Sequence, residues 1–263
     1  MKSLSEFSEY KQRGQKFSMV TCYDFPFARI LEKSEVDCLL VGDSVAMVVH
    51  GHRDTLAADL PMMELHTASV RRGAPEKFLV SDLPFMSYRK GNYDTLKNME
   101  RLMRVGANAL KLEGARGNLK VIQHAVDSGI PIMGHLGLTP QSIHQLGGFK
   151  VQGKQPQEYE RILREAQELE QAGCFAVVLE CVPMSLATEI SSRLQIPTIG
   201  IGAGVGTDGQ VLVLHDLLGF QPDFTPKFLR RYGQSFEGHL QAFNHFAEDV
   251  KAATFPTEKE SYR

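Results

Sequence analysis

Asp43, Asp82, Glu113 and Glu180 stand at the exits of four short apolar runs, and Lys111 and His135 sit near two such ends. Runs of this kind, apolar on both faces, are the mark of buried strands. A carboxylate at such an exit is costly unless it is paired, protonated or bound to metal. Four of them cannot all ionise in one small site without a counter-charge. A divalent cation meets that need. Oxygen donors with no cysteine and little histidine suit Mg2+ rather than zinc. Lys111 and Glu113 are two residues apart, so they point to the same side of their strand. An inward lysine could neutralise a substrate carboxylate, and His135 could donate to an anionic oxygen. The glycine-rich loop from Gly200 to Gly206 follows the seventh run, where barrels often bind phosphate or another anion.

Each residue also has a plainer reading. A single aspartate after a strand is more often a turn or cap residue. Ser44 alone reads as a cap, His135 as a packed histidine, and Lys111 as an ordinary partner of Glu113. His50-Gly-His52 invites a metal reading but has no further clustered ligands, so it reads as loop. Five strand ends with five unrelated plain explanations are improbable together, and that joint pattern carries the argument.

The elements that must position these side chains follow from periodicity. Strands are predicted at 17–23, 37–43, 77–82, 108–113, 130–135, 175–182 and 196–201, with an eighth, weaker one at 211–214. Helices are predicted at 3–12, where Ser3 and Glu6 form a capping box, and at 26–33, 61–72, 93–105, 119–128, 157–171 and 184–194. Residues 47–60 and 139–153 lack a clear period and read as loops. Near the chain end, Phe236, Leu240, Phe243, Phe246 and Val250 share one face of an amphipathic helix over 235–252, and the tail 257–263 reads as frayed. Eight strands alternating with helices predict an α/β fold, a closed (β/α)8 barrel over 1–263. It would form a single domain with a short N-terminal helix and the C-terminal amphipathic helix. A doubly wound open sheet is the alternative. Val205 stands where a dinucleotide fingerprint needs its last glycine, which argues against a Rossmann fold.

Composition narrows the partners. The chain has 263 residues and a formal net charge of −2, which gives no electrostatic case for nucleic acid or an anionic membrane. Four cysteines, Cys22, Cys38, Cys174 and Cys181, show no C-x-x-C spacing and read as reduced thiols of a cytoplasmic protein. No apolar run approaches the length of a membrane span, and the N-terminus lacks a signal core.

Several motifs then carry a family resemblance. They are Val41-Gly-Asp-Ser44, Arg71-Arg-Gly-Ala-Pro75, Ser81-Asp-Leu-Pro-Phe85, Lys111-Leu-Glu-Gly114, Gly134-His-Leu-Gly-Leu-Thr-Pro-Gln-Ser142, Leu179-Glu-Cys-Val-Pro183, Ile199-Gly-Ile-Gly-Ala-Gly204 and Thr207-Asp-Gly-Gln-Val211. In this order they resemble ketopantoate hydroxymethyltransferase. The run from Gly134 to Ser142 is the most specific. Ala115 departs from a glycine common in that family.

The resemblance implies a barrel of the phosphoenolpyruvate/pyruvate superfamily. It implies an enzyme of pantothenate synthesis that passes a hydroxymethyl group from 5,10-methylenetetrahydrofolate to 3-methyl-2-oxobutanoate, giving 2-dehydropantoate through an Mg2+-stabilised enolate. It implies a homo-oligomer, a decamer. Carried onto this chain, Asp43 and Asp82 would bind Mg2+ and substrate, with Glu113 as a third ligand, direct or through water. Ser44 and Lys111 would fix the substrate carboxylate, His135 would support its oxygens, and Glu180 would remove the C3 proton. Two alternatives stay open on sequence. One is an Mg2+-dependent C–C lyase or phosphonomutase of the same superfamily. The other is a non-enzymatic binding protein on a barrel scaffold.

Overall fold

The computed structural model describes residues 3–262. Eight parallel strands close into a barrel in chain order, β1 Phe17–Thr21, β2 Cys38–Val41, β3 Phe78–Asp82, β4 Ala109–Glu113, β5 Ile132–Gly137, β6 Ala176–Glu180, β7 Thr198–Ile201 and β8 Gly209–Leu212. β8 pairs with β1 from Phe17↔Gly209 to Val20↔Leu212, which removes both sheet edges. The closed form, rather than the open sheet, is therefore the one adopted.

Period-two alternation decides what the barrel encloses. Its interior is filled by Cys38 and Leu40, Phe78 and Val80, Ala109, Met133, Ala176 and Val178, and Val211. Two residues further along their strands, the same inward parity reaches Asp82, Lys111 and Glu113, His135, and Glu180. One apolar interior thus runs upward into one polar mouth. The opposite end is closed by the helix Leu4–Gln12, opened by the Ser3 N–H bond to Glu6 at 3.1 Å. Its Phe7 is fully buried and meets the rings of Phe17, Phe78 and Phe175 edge-on at 5.4, 5.0 and 5.2 Å. Those three rings stand at strand starts, so the aromatic plug and the acids occupy opposite ends of the same barrel.

Most predicted elements recur with ends moved by one to four residues. The differences have local causes. Residues 47–60 are not a plain loop, because Val45–Val48 and Thr55–Ala57 form short helical turns, the second capped by Asp54. The segment 139–153 likewise holds the turns Pro140–Ser142 and Ile143–Leu146. Elements of three or four residues are too short to show a period. The eighth strand begins at Gly209, where it can pair with Phe17 and Ile199, and Leu214 already opens a helix to Leu218.

The chain divides into two compact units, Met1–Val213 with the barrel and Leu214–Arg263. In the second unit, Tyr232 N–H donates to Leu217 O at 2.8 Å, and Arg231 Nη2 donates to the carbonyls of Gln221, Pro222 and Phe224. The helix Ser235–Lys251 has no buried residue. The tail is more ordered than expected up to Tyr262, with Thr257 and Glu260 capping a turn over Glu258–Glu260; Arg263 lies outside the described residues.

Candidate active site

The strand register brings the predicted acids and bases side by side. Asp82 on β3 is level with Lys111 on β4, and Glu113 is level with His135 on β5. Lys111 Nζ stands 2.8 Å from Asp82 Oδ1, with both side chains buried. His135 lies between two carboxylates, with Nδ1 3.4 Å from Glu113 Oε1 and Nε2 3.2 Å from Glu180 Oε2. Asp43 follows β2 after Gly42, and its backbone N–H donates to Asp82 Oδ2 at 3.0 Å. Ser44 pairs its hydroxyl with that of Tyr23 at 2.8 Å. All seven predicted residues, Asp43, Ser44, Asp82, Lys111, Glu113, His135 and Glu180, therefore lie along one linked set of strand exits.

Two turns hold Glu180 in place. Gly137, level with Glu180 across the β5–β6 pair, has φ +93°, and a Cβ there would collide with the Glu180 carbonyl. Glycine thus permits the close approach, and Leu138 N–H donates to Glu180 O at 2.8 Å. Cys181, directly after Glu180, has φ +46°, which is uncommon for a side chain and typical of functional turns. Burial, with Glu180 adding to it, pushes the Cys181 thiol up to about 12, so it is no nucleophile at neutral pH.

The electrostatics express an excess of negative charge. Burial, then Asp82, then Glu113 hold the Asp43 carboxyl well above the usual carboxylate range. Burial also raises Asp82, against the pull of Lys111. Burial alone would lower Lys111, but Asp82, Glu113 and Asp43 together hold it above its ordinary value. For His135, burial and the Lys111 ammonium oppose protonation. The hydrogen bonds to Glu113 and Glu180 outweigh them and push it up to about 9. Lys111 Nζ also stands 3.3 Å from His135 Nδ1, so the ring is bordered by an ammonium as well as by the two carboxylates. Four carboxylates thus share the mouth with one lysine and one histidine, which leaves negative charge to be balanced if all four ionise.

The residues fit a hard divalent ion. The donors are oxygens, and Asp43 Oδ1 takes no hydrogen bond among the described residues, since its only partner Gln141 engages Oδ2. Among the described residues, no three His, Cys, Asp or Glu side chains converge closely enough to encage a cation. Mg2+ does not require such a cage, because it keeps several waters and binds through one or two carboxylates. Glu113 Oε2 takes the Gln141 N–H at 3.0 Å and its Oε1 faces His135.

Three participants escaped the sequence reading. Gln141 and Tyr88 link the acids, Tyr23 holds Ser44, and only Gln141 lies in a motif quoted above. His50 Nε2 stands 2.9 Å from His66 Nε2, a pair without a third ligand among the described residues. The glycine loop after β7 is fastened by Gln210 Nε2, 2.8 Å from Gly204 O and 2.7 Å from Thr207 Oγ1.

Known proteins resemble this chain in fold and in sequence. Two solved structures share the fold. Phosphoenolpyruvate phosphomutase from Streptomyces platensis subsp. rosaceus aligns with TM-score 0.64 at 12% identity, covering 99% of this chain and 92% of that one. 2,3-Dimethylmalate lyase, a member of the PEP mutase/isocitrate lyase superfamily, aligns with TM-score 0.62 at 14% identity, covering 100% and 92%. The likeness is one of fold, a closed barrel of eight parallel strands. Among relatives, 3-methyl-2-oxobutanoate hydroxymethyltransferase of Bdellovibrio bacteriovorus is 55% identical over 262 residues, the whole of both chains. That of Legionella pneumophila (strain Paris) is 52% identical over 260 residues, 98% of this chain and 99% of the other. A family model for ketopantoate hydroxymethyltransferase matches residues 1–258. The chain belongs to the ketopantoate hydroxymethyltransferase family.

Proposed function

We propose that this transferase carries a hydroxymethyl group from 5,10-methylenetetrahydrofolate to 3-methyl-2-oxobutanoate, forming 2-dehydropantoate for pantothenate synthesis, with Mg2+ as cofactor. The observation that carries the reading is the gathering of buried Asp43, Asp82 and Glu113 and part-buried Glu180 around Lys111 and His135. Asp43 and Asp82 would hold the metal, and Glu113 would face it through water. When bound, Mg2+ supplies Lewis-acid stabilisation of negative charge on the keto oxygen.

The chain's own residues do the rest. Lys111 and Ser44 bind and orient the substrate carboxylate. Glu180 takes the proton from C3, leaving a nucleophilic carbon that forms the new C–C bond to the folate-borne methylene carbon; both C–N bonds of that carbon break, a water molecule supplies the hydroxyl, and tetrahydrofolate leaves. His135, 3.2 Å from Glu180, holds that carboxylate in one orientation and supports the substrate oxygens. The apolar barrel wall below the mouth limits water.

The reading extends to assembly and place. Phe236, Leu240, Phe243, Phe246 and Val250 are all exposed along one helix, which supports a homo-oligomer, a decamer in this reading. Four free thiols support a cytoplasmic setting. No described helix is long and apolar enough to cross a membrane. The direct test is turnover with both substrates, with and without Mg2+. Product formation that stops on chelation and returns with Mg2+ agrees with the proposal, and metal-independent turnover contradicts it.

A further inference from the structure

We propose that Gln141 is a positioning residue that fixes the Asp43 carboxylate for cation binding; the inference rests on the Mg2+ reading above. Gln141 follows β5, yet it reaches the exits of β2, β3 and β4. Its Nε2 donates to Asp43 Oδ2 at 2.8 Å and to Leu83 O at 3.0 Å. Its Oε1 accepts from the Tyr88 hydroxyl at 2.7 Å, and its backbone N–H donates to Glu113 Oε2 at 3.0 Å. Both side chains of the Gln141–Tyr88 pair are buried.

The amide has only one workable orientation. Both N–H donors are used, and both lie opposite acceptors that carry no proton when Asp43 is ionised. Turning the amide over would set Oε1 against a carboxylate oxygen and a carbonyl oxygen, with no hydrogen between them. Buried groups left in that state cost the full desolvation penalty. Tyr88 locks the other end by donating to Oε1.

The consequence falls on Asp43. Its Oδ2 is committed to Gln141, so Oδ1 is the oxygen left for a ligand. Asp82 is held in parallel, with Oδ2 on the Asp43 N–H and Oδ1 on Lys111. A neutral amide suits this task better than a lysine or arginine, because it orients the carboxylate without cancelling the charge that attracts the cation. The same residue holds Glu113 through its backbone, so one side chain and one N–H arrange two acids from two strands.

The test is calorimetric titration of Mg2+ in the presence of 3-methyl-2-oxobutanoate for wild type, Gln141→Met, Tyr88→Phe and Asp82→Asn. Removal of such a supporting partner typically weakens metal binding about 10–100-fold, and that loss is expected for folded Gln141→Met. The Mg2+ concentration for half-maximal C3–H exchange should rise by the same factor, which a purely structural role would not produce. Tyr88→Phe keeps Gln141 but frees its amide, and a loss of about threefold or more is expected. Wild-type affinity in folded Gln141→Met overturns the proposal. If Gln141→Met does not fold, unchanged affinity in Tyr88→Phe overturns it. Failure of wild type itself to bind Mg2+ defeats the metal reading instead, and with it the inference.

Discussion

Asp82 and Lys111 are register partners on β3 and β4 and form an ion pair of 2.8 Å inside the barrel mouth, both side chains nearly inaccessible to water. Removing one member of a buried pair leaves an uncompensated charge, which typically costs about 3–5 kcal/mol. Lys111→Met should therefore lower unfolding stability by roughly that amount and weaken oxo-acid binding. Urea melts and substrate titration check both. Wild-type stability would mean that Asp82 is compensated by something other than this lysine.

Asp216, in the second unit, offers a pH test. Burial pushes its carboxyl up to about 6, with Arg231 pulling the other way. The native value thus lies above the unfolded one, so the native state binds more protons across that window. The acid form costs nothing below about pH 4, and the penalty appears as pH rises through about 6. Asp216→Asn should stabilise the protein by on the order of 1–2 kcal/mol at pH 8 after solvent screening. The gain should vanish near pH 4. Equal gains at both pH values would show that the carboxyl does not titrate as described.

Much of the mouth was legible because strand geometry is simple. An acid at the end of an apolar run must point somewhere, and period two sends Asp82, Lys111, Glu113, His135 and Glu180 inward together. Asp43 lies beyond its strand, and its aim depends on the turn at Gly42 and on Gln141. The network of Gln141, Tyr88 and Tyr23 was not legible. Those residues sit in turns whose course is set by tertiary contacts, so their sequence carries no period. The left-handed backbone at Cys181 is hidden for the same reason, since nothing in a cysteine announces a positive φ.

The apolar face of the helix Ser235–Lys251 makes a further prediction. Phe243 is 68% exposed and lies between Leu240 and Phe246 on that face. Sedimentation at micromolar concentration should give a homo-oligomer for the wild-type chain and smaller species for Phe243→Asp. A stable wild-type monomer would remove the oligomer from the account.

The central claim is that Glu180 takes the C3 proton while Asp43 and Asp82 serve the metal. Glu180→Gln keeps the shape of the side chain and removes the base. Its 3.2 Å contact with His135 Nε2 can persist through the amide oxygen, so the fold should survive by circular dichroism. Mg2+ and 3-methyl-2-oxobutanoate should bind nearly as to wild type. Proton NMR of the oxo acid in D2O, without folate, reads the step itself. Loss of a general base costs about 10²–10⁴ in rate, and C3–H exchange should fall by that factor. Exchange at the wild-type rate in folded Glu180→Gln would contradict the account and move the proton to another residue of the mouth.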